Sequence, residues 1–434
     1  MLRTTRIYNI DNSAEFKTQL LVWAQQFNDV VWLDSNMHSN IGHKAISRYD
    51  ALLAVDAFTA ITTEYRHAFE TLKRYQTHTN DWIFGYLSYD LKNDIEALFS
   101  KNHDGLSFAD LHFFQPKKLF LIRDNLVEMH YLHHVADQSD KDFNTITSLN
   151  KPDNRSTAVV KIKSRIPKES YVKKVQSILD YLRHGAVYEV NFCQEFYAEH
   201  ISINPLETYL KLNAISNPPF ASFVKFTDTY VMSASPERYI KKTGTTIISQ
   251  PIKGTAKRSK NSAKDNKLKH NLYTDEKERS ENIMIVDLVR NDLSKTAIKG
   301  SVMVRELCKV YTFDQVHQMI STITSQVNEA THPVDVIKST FPMGSMTGAP
   351  KISAMQIIEE LEMTKRGVYS GAIGYITPNG DFDFNVVIRS ILYNAKKQYV
   401  SCSVGSAITA KSDPLREYDE CLVKAKAMRE VLEH

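Results

Sequence analysis

Residues 223–255, FVKFTDTYVMSASPERYIKKTGTTIISQPIKGT, decide the fold that this sequence predicts. Short apolar and β-branched runs alternate there with turn signals at Thr227-Asp228 and Thr243-Gly244, as in successive antiparallel strands. Further strand patterns lie at 372–376, 386–392 and 399–403, and helical spacing recurs between the strand-rich parts. These patterns predict an α+β protein with a substantial antiparallel sheet.

The length of the chain allows two subdomains or one large one. It has 434 residues, enough to bury a large core. The segment 136–157 is polar and contains proline, aspartate and asparagine near its end, which favours a linker. We therefore predict an N-terminal α+β subdomain over residues 1–155 and a second domain over residues 156–434.

Composition argues against several classes of protein. The net charge is only +4 with 24% charged residues, and basic residues are not interleaved with aromatic ones, so nucleic-acid binding is disfavoured. The basic stretch Lys257–Lys269 is rich in serine and asparagine, which predicts a solvated mobile loop. An apolar signal core and a membrane-length apolar run are both missing, which predicts no membrane association. The cysteines form no Cys-x-x-Cys, as expected for reduced thiols in a cytoplasmic protein.

A long C-terminal helix is predicted to carry the acidic pair Glu417 and Glu420. Asp413-Pro414 has the form of an N-cap followed by proline at the first helical position, and the run to Leu432 contains no helix breaker. At helical spacing, Glu417, Glu420 and Lys424 share one arc that borders the apolar stripe. Solvated glutamates would usually lie opposite that stripe, so the pair is predicted to line a cleft.

A second acidic pair, Glu278 and Glu281, lies at the start of another predicted helix. Asp275–Glu278 has the composition of a charged first turn, and the apolar run 282–290 follows. Such pairs are common on exposed helices, so each alone says little. The two pairs would form a divalent-cation site only if the fold brings them together.

Lys253 is predicted to stand where the chain turns out of the sheet. Pro251 cannot continue a central ladder, and Gly254 permits a tight turn. A lysine at such a corner is usually exposed to solvent. To act as a nucleophile it would need a pKa lowered by burial or by neighbouring cations, so that a neutral amine is available.

Two further features favour recognition of an anion. Gly344–Lys351 lacks the spacing of a nucleotide-binding loop, but a glycine-rich turn before a helix can offer backbone N–H groups to a carboxylate. The alternative is a helix-entry turn that needs glycine only for its dihedral angles. Arg389 lies inside the predicted strand 386–392, where its guanidinium needs a carboxylate partner from the protein or from a ligand.

Together these segments resemble the successive sequence blocks of the chorismate-utilising enzymes. The resemblance runs from about residue 166 to the C-terminus, and more loosely through 32–35 and 85–89. It implies large, mainly antiparallel sheets in a sandwich flanked by helices, with 156–434 as a chorismate-binding catalytic domain. The resembling blocks are Ser235–Arg238, Pro251–Thr255, Glu281–Asp292, Gly344–Lys351 and Glu417–Glu420.

The resemblance also implies a cofactor and a mechanism. Mg²⁺ would bridge the ring carboxylate of chorismate to Glu281 and Glu420, while Glu278 and Glu417 hold ligating water or complete the shell. Lys253 would attack C2 of the ring and expel the C4 hydroxyl, and ammonia would then add at C4 and release the lysine.

Other site positions follow from the same resemblance. Glu237 would protonate the departing hydroxyl, which requires a protonated carboxyl at neutral pH. Tyr369, Arg389 and a turn at Gly405 would hold the pyruvyl carboxylate, and Thr347 and Lys424 would lie near the ring and its carboxylate. The implied substrate-contacting residues are Thr255, Thr347, Gly348, Tyr369, Arg389, Gly405, Ser406, Lys424 and Glu189.

The lysine favours one product. Anthranilate-forming relatives typically have alanine at the Lys253 position and histidine at the Gln318 position, so the resemblance implies formation of 4-amino-4-deoxychorismate for 4-aminobenzoate and folate synthesis. The sequence departs from the family at Glu189, where an amide or lysine is usual, and at Ser406-Ala407, where a glycine run is expected.

Partners and alternatives complete the prediction. The sequence contains no Gly-x-Cys-x-Gly nucleophile block of a glutaminase, so ammonia is expected from a separate glutamine amidotransferase subunit or from solution. An anthranilate or isochorismate synthase would share the magnesium shell. A catalytically silent binding subunit would share the fold, although the full set of Glu, Lys and Arg positions argues against it.

Overall fold

The computed structural model describes residues 2–36, 49–150 and 160–433. Its strands are β1 (Arg3–Asn9), β2 (Asp29–Asp34), β3 (Ala51–Thr63), β4 (Ile83–Leu87), β5 (Leu111–Arg123), β6 (Leu126–Leu132), β7 (Lys163–Ser164), β8 (Glu189–Glu199), β9 (Phe220–Phe226), β10 (Thr229–Ser235), β11 (Arg238–Thr243), β12 (Thr246–Gln250), β13 (Ile252–Lys257), β14 (Met303–Thr312), β15 (Val316–Gln326), β16 (Gly348–Ala349), β17 (Ala372–Ile376), β18 (Phe382–Asn385), β19 (Ser390–Asn394) and β20 (Tyr399–Thr409).

The α-helices surround these strands, and none within the described ranges is long and apolar enough to cross a membrane. They are α1 (Ser13–Ala24), α2 (Ala68–Thr79), α3 (Lys92–Ile95), α4 (Ser139–Ser148), α5 (Lys168–Arg183), α6 (Pro205–Ser216), α7 (Ser262–Thr274), α8 (Glu276–Ser294), α9 (Pro333–Thr340), α10 (Lys351–Leu361) and α11 (Pro414–Glu433).

Two large antiparallel sheets share the long strands β3 and β5. The first has the order β7-β8-β20-β19-β10-β9-β2-β3-β5-β6-β1. The second continues from the other halves of β3 and β5 through β4-β17-β18-β11-β12-β15-β14, and β13 also pairs with β15. A bulge between Ala57 and Thr59 marks the bend in β3. The predicted α+β fold with sandwiched antiparallel sheets is confirmed.

Both faces of the first sheet are buried at strand β2. On β2, Val30 and Trp32 point to a core formed with the helices, which includes Tyr171 of α5 and Met428 of α11. Val31, on the opposite face, belongs to a second core that strands of both sheets share. This double burial explains why β2 is a nearly continuous apolar run.

The two predicted subdomains contribute strands to the same sheets. Strand β2 pairs with β9, and β4 pairs with β17. The boundary between residues 155 and 156 lies outside the described residues and stays a prediction. The predicted linker over 136–157 is wrong in its first part, because α4 forms there and buries Ile146.

The predicted mobile loop at Lys257–Lys269 is also wrong from residue 262 onward. Helix α7 begins there, and the side chain of Asn261 accepts a hydrogen bond from the backbone N–H of Lys264. The asparagine that suggested a loop is therefore an N-cap. Leu272 of this helix is buried against Cys308 and Met319.

Candidate active site

Lys253 lies on a bulge inside the sheet. The predicted exit of the backbone at Pro251 is wrong, because β12 and β13 pair with the same strand, β15, on either side of this proline. The pairing skips one residue between Ile252 and Thr255, and Gly254 has φ of 93°. Bulges re-aim side chains, and the side chain of Lys253 is only 12% exposed.

A buried carboxylate is the immediate partner of this lysine. Lys253 Nζ donates to Glu189 Oε1 at 2.9 Å, and Glu189 is 1% exposed. Burial lowers the pKa of Lys253, but the Glu189 and Glu281 carboxylates outweigh burial and raise it above its ordinary value. The lowered pKa that sequence reasoning requires is therefore not found for Lys253. Lys253 is held as an ammonium beside a proton acceptor.

Helix α8 packs directly against the bulge. A Cβ added at Gly254 would lie 3.2 Å from Glu278 Oε2. The side-chain amide of Asn282, one turn along from Glu278, donates to the backbone carbonyl of Lys253 at 3.4 Å. Sequence reasoning missed Asn282, although its position directly after Glu281 at the start of the apolar run could have indicated a buried amide.

Helix α11 begins and is capped as predicted. The Asp413 side chain accepts from the backbone N–H groups of Leu415 and Arg416. Glu417 is buried on this helix, whereas the side chain of Glu420 is 44% exposed, and the predicted cleft position of the pair stays a prediction. Glu420 forms a 2.6 Å ion pair with Lys424.

The two acidic pairs approach each other around one side chain. Lys277 Nζ lies 3.7 Å from Glu281 Oε1 and 3.9 Å from Glu417 Oε1. Nevertheless, within residues 2–36, 49–150 and 160–433 no group of three or more histidine, cysteine or acidic side chains is arranged to hold a metal ion. The magnesium site formed by four glutamates stays a prediction.

The donor set itself suits magnesium. All the predicted ligands are carboxylates, and Glu281 Oε1 is buried without a hydrogen-bond partner among the described residues. Burial raises the pKa of Glu281 to about 7 and also raises the pKa of Glu278. Burial acts in the same direction on Glu420, but Lys424 outweighs it and lowers that pKa. A bound cation would stabilise the ionised forms of the first two groups.

Glu237 has the environment of a neutral acid. It lies at the corner between β10 and β11 and is 5% exposed. Burial is the main reason that its pKa is raised to about 7, while Ser345 and Lys253 partly oppose the shift. A small cavity adjoins Glu237 and Ser345. The protonated carboxyl that the resemblance requires is therefore available near neutral pH.

The glycine-rich turn has a clear structural function. Gly348 has φ of 153°, and its short strand β16 pairs with β8, where Ala349 lies opposite Glu189. A Cβ at Gly348 would approach the Glu189 carbonyl oxygen to 2.1 Å. The Lys351 ammonium binds Asp292, so it does not face Glu189. The turn positions Glu189, and anion binding by its backbone stays a prediction.

We expect Gly348→Ala to destabilise the fold by about 2–4 kcal/mol, because the new methyl group meets a fixed backbone oxygen in a strained conformation. Urea unfolding would measure the change in free energy. Gly300→Ala is the matched control, since Gly300 also has positive φ but has no atom within 4 Å of the added Cβ. Equal losses for the two variants would contradict this expectation.

Arg389 lies in a break between strands, and the predicted strand over 386–392 is wrong at this point. β18 ends at Asn385, β19 begins at Ser390, and Arg389 has φ of 54°. Its guanidinium donates to the Lys424 carbonyl at 3.1 Å and has no carboxylate within ion-pair distance in the described parts of the chain. Burial lowers its pKa, which a ligand carboxylate would oppose. The buried side chain of Tyr369 acts against this shift and raises the pKa of Arg389.

Gly405 lies in the middle of β20, so the predicted turn at this position is wrong. A Cβ there would lie 2.2 Å from Asn191 Oδ1, which explains the glycine. Its carbonyl accepts from Lys424 Nζ at 2.8 Å. The hydroxyl of Ser406 donates to Glu417. Ser406 therefore holds an acidic side chain in place, and its predicted contact with substrate stays a prediction.

The two predicted threonine contacts have different environments. Thr347 is fully buried, and its hydroxyl donates to the Gly344 carbonyl at 3.1 Å. Thr255 is exposed on β13. Only Thr347 is therefore packed into the turn beside β8.

A buried arginine that sequence reasoning missed joins the turn to β8. Arg366 donates to the carbonyls of Met346 and Asn191 at 2.6 and 2.8 Å, and Glu362 binds the same guanidinium. From sequence, Glu362 and Arg366 have the spacing of an exposed helical ion pair. Only the fold shows that this pair is buried and supports the site.

A lysine amine, a carboxyl with a raised pKa, neighbouring carboxylates and an arginine that lacks a carboxylate partner among the described residues thus lie in one region of an antiparallel sandwich. Such a set defines an enzyme site for an anionic small molecule. The family described as chorismate binding enzyme matches residues 28–430, and the chain belongs to this family.

Relatives with two different names match the chain. It is 41% identical over 270 residues to "Probable aminodeoxychorismate synthase, chloroplastic" of Oryza sativa subsp. japonica, a match that covers 61% of the chain and 30% of the rice protein. It is 35% identical to "Aminodeoxychorismate synthase component 1" of Escherichia coli, covering 82% of the chain and 79% of that protein. It is 32% identical to "Anthranilate synthase component 1" of Thermus thermophilus, covering 81% and 77%.

A solved structure supports the same fold. Anthranilate synthase component I from Streptococcus pneumoniae TIGR4 superposes with a TM-score of 0.78 at 26% identity, covering 91% of the chain and 94% of that protein. Relatives named aminodeoxychorismate synthase and relatives named anthranilate synthase therefore match the chain at similar sequence identity.

Proposed function

We propose that this protein converts chorismate and ammonia to 4-amino-4-deoxychorismate, the precursor of 4-aminobenzoate in folate synthesis. The observation that carries this proposal is the buried amine of Lys253, which lies beside Glu189 and near the acidic groups of the site. Relatives named aminodeoxychorismate synthase support it. The "component 1" in the name of the E. coli relative favours delivery of ammonia by a separate glutamine amidotransferase subunit.

Arg389 and Lys424 are the cations that we propose to bind the two carboxylates of chorismate. Arg389 has no carboxylate partner in the described residues, so the pyruvyl carboxylate of chorismate is its natural ligand. Lys424 lies between Glu420 and the Gly405 carbonyl and can support the second carboxylate. Glu281 and Glu420 would hold Mg²⁺, with Glu278 and Glu417 completing the set. The bound ion would supply positive charge to the ring carboxylate.

In the first half of the reaction, Lys253 passes a proton to Glu189 and its neutral amine attacks C2. Both ring double bonds shift by one position, the C4–O bond breaks, and Glu237 gives its proton to the departing hydroxyl, which leaves as water. The cavity beside Glu237 offers space for this water.

In the second half, ammonia attacks C4, both ring double bonds shift back, and the bond between C2 and the lysine nitrogen breaks. The lysine nitrogen keeps the electron pair and recovers its proton from Glu189. The new C4 ammonium loses one proton, which returns Glu237 to the acid form. The net reaction exchanges hydroxyl for amine and releases water.

The product identifies the enzyme. We expect the purified chain, supplied with chorismate, Mg²⁺ and ammonium, to form 4-amino-4-deoxychorismate, which mass spectrometry and conversion to 4-aminobenzoate would detect. Anthranilate or isochorismate as the main product would instead assign one of the alternative synthase activities. Absence of chorismate turnover would favour a silent binding subunit.

A separate prediction concerns magnesium. We expect Glu420→Gln to raise the Mg²⁺ concentration needed for half-maximal turnover by about tenfold or more, because the amide lacks the charge that the ion requires. Steady-state rates over a Mg²⁺ titration would show it. Glu430→Gln, on the exposed face of the same helix, is the control. A normal titration in Glu420→Gln would contradict ligation by this residue.

A further inference from the structure

Lys277 occupies an unfavourable position for a cation. It lies in the first turn of α8, directly after the N-cap Asp275 and Glu276. The free N–H groups of a helix N-terminus carry partial positive charge, so lysine is disfavoured there. The ammonium is directed instead to two carboxylates, Glu281 at 3.7 Å and Glu417 at 3.9 Å. These acidic groups therefore compensate an otherwise unfavourable placement.

Lys253 acts on Glu281 from a greater distance, but in the described parts of the chain no other ammonium lies within ion-pair distance of the two carboxylate oxygens. The second oxygen of Glu417 accepts the hydroxyl of Ser406, and Glu420 is paired with Lys424. Glu281 is 8% exposed, and its Oε1 lacks a hydrogen bond. Among residues 2–36, 49–150 and 160–433, Lys277 is the cation that lies at ion-pair distance from both of these oxygens. Its ammonium stands between the helices at the place where the two acidic pairs meet.

The ion pairs of Lys277 are loose. Both distances exceed the 2.7–3.2 Å typical of N–H···O hydrogen bonds. The side chain is also 45% exposed. A lysine with a flexible four-carbon stem can therefore turn into solvent and regain full hydration. By contrast, the oxygens of Glu281 and Glu417 cannot move to water while their backbones stay in place.

We propose that Lys277 is a tethered cation that occupies the space between Glu281 and Glu417 until Mg²⁺ displaces it. The proposal rests on the magnesium assignment made under the proposed function. Because Mg²⁺ binds oxygen at about 2.0–2.1 Å and repels an ammonium, the ion and the inward-facing Lys277 exclude each other. Lys277 thereby weakens magnesium binding and keeps the acidic side chains together when the ion is absent.

Calorimetric titration of MgCl₂ into metal-free protein tests this proposal without reference to turnover. We expect Lys277→Met to bind Mg²⁺ about tenfold more tightly than the wild type, because the competing charge is gone. Lys277→Arg keeps the charge and should show no such gain. Lys299→Met is the matched control, since it removes the same charge from an exposed turn after α8.

Thermal unfolding provides a second measurement. In EDTA, Lys277→Met should melt at a lower temperature than the wild type, because Glu281 and Glu417 then repel one another without the ammonium between them. Saturating Mg²⁺ should remove this difference. A difference in melting temperature that is the same with and without Mg²⁺ would overturn the proposal.

The outcomes of the titration separate two failures. Equal or weaker Mg²⁺ binding by Lys277→Met overturns the tethered-cation proposal and leaves the magnesium site intact. Absence of binding in the wild type and in every variant overturns the magnesium assignment itself, and the present proposal with it. Binding by Lys277→Met alone would support the proposal in its strongest form.

Discussion

Replacement of Lys253 by alanine is expected to lower the formation of 4-amino-4-deoxychorismate by at least about a thousandfold. The reason is that the variant lacks the amine that we propose to form the covalent bond to C2 of the ring. Chorismate binding in the presence of Mg²⁺ should persist, because Arg389 and the acidic residues are unchanged. Product analysis and an equilibrium binding measurement would check the two halves of this expectation.

The same substitution leaves Glu189 as a buried charge without its partner, which costs about 3–5 kcal/mol in comparable cases. The double variant Lys253→Ala/Glu189→Gln removes this complication, because the neutral amide needs no cation. We expect the double variant to unfold at a higher temperature than the single variant and to remain inactive. An unchanged product yield in either variant would refute the role of Lys253 as nucleophile.

The second large effect is expected for Glu237→Gln, which should lower kcat by about 10²–10⁴-fold. The amide has nearly the same shape but cannot give a proton to the leaving hydroxyl. Because burial raises the pKa of Glu237 to about 7, the acid form is present at lower pH and is lost as the pH rises through that value. The wild-type rate should therefore fall above about pH 7.

A pH profile of kcat/KM for both proteins would test this assignment. The residual activity of Glu237→Gln should lack the decline near pH 7, because the amide does not titrate. A decline of the same form in the variant would show that another group is responsible. Glu281 also has a pKa raised to about 7, but its ionisation should strengthen metal binding as the pH rises, which is the opposite direction.

The features that were predicted best from sequence are the helix starts, because residues close together in the chain determine them. The start of α11 followed from Asp413-Pro414, and the start of α8 followed from Asp275 and its acidic neighbours; hydrogen bonds to both N-caps are present. Both signals lie within a single helical turn. Composition was a poorer guide at 262–269, where a polar helix packs Leu272 against the sheet.

Features created by distant segments could not be predicted in the same way. The break at Arg389 and the continuation of β20 through Gly405 depend on pairing with β8 and β10. The charge of Lys253 depends on Glu189, which is 64 residues away in sequence. Periodicity shows which face of an element is apolar, but it does not show which side chains meet.

The catalytic centre has a further consequence for biosynthesis of the protein. Strand β2 finds its neighbour β9 only after nearly two hundred more residues have been made, and α11, which carries Glu417 and Glu420, is the last helix of the described chain. Until then, exposed apolar strand edges are open to association with other polypeptides. The site thus depends on segments made early and late in synthesis, and we expect it to form only after α11 has been made.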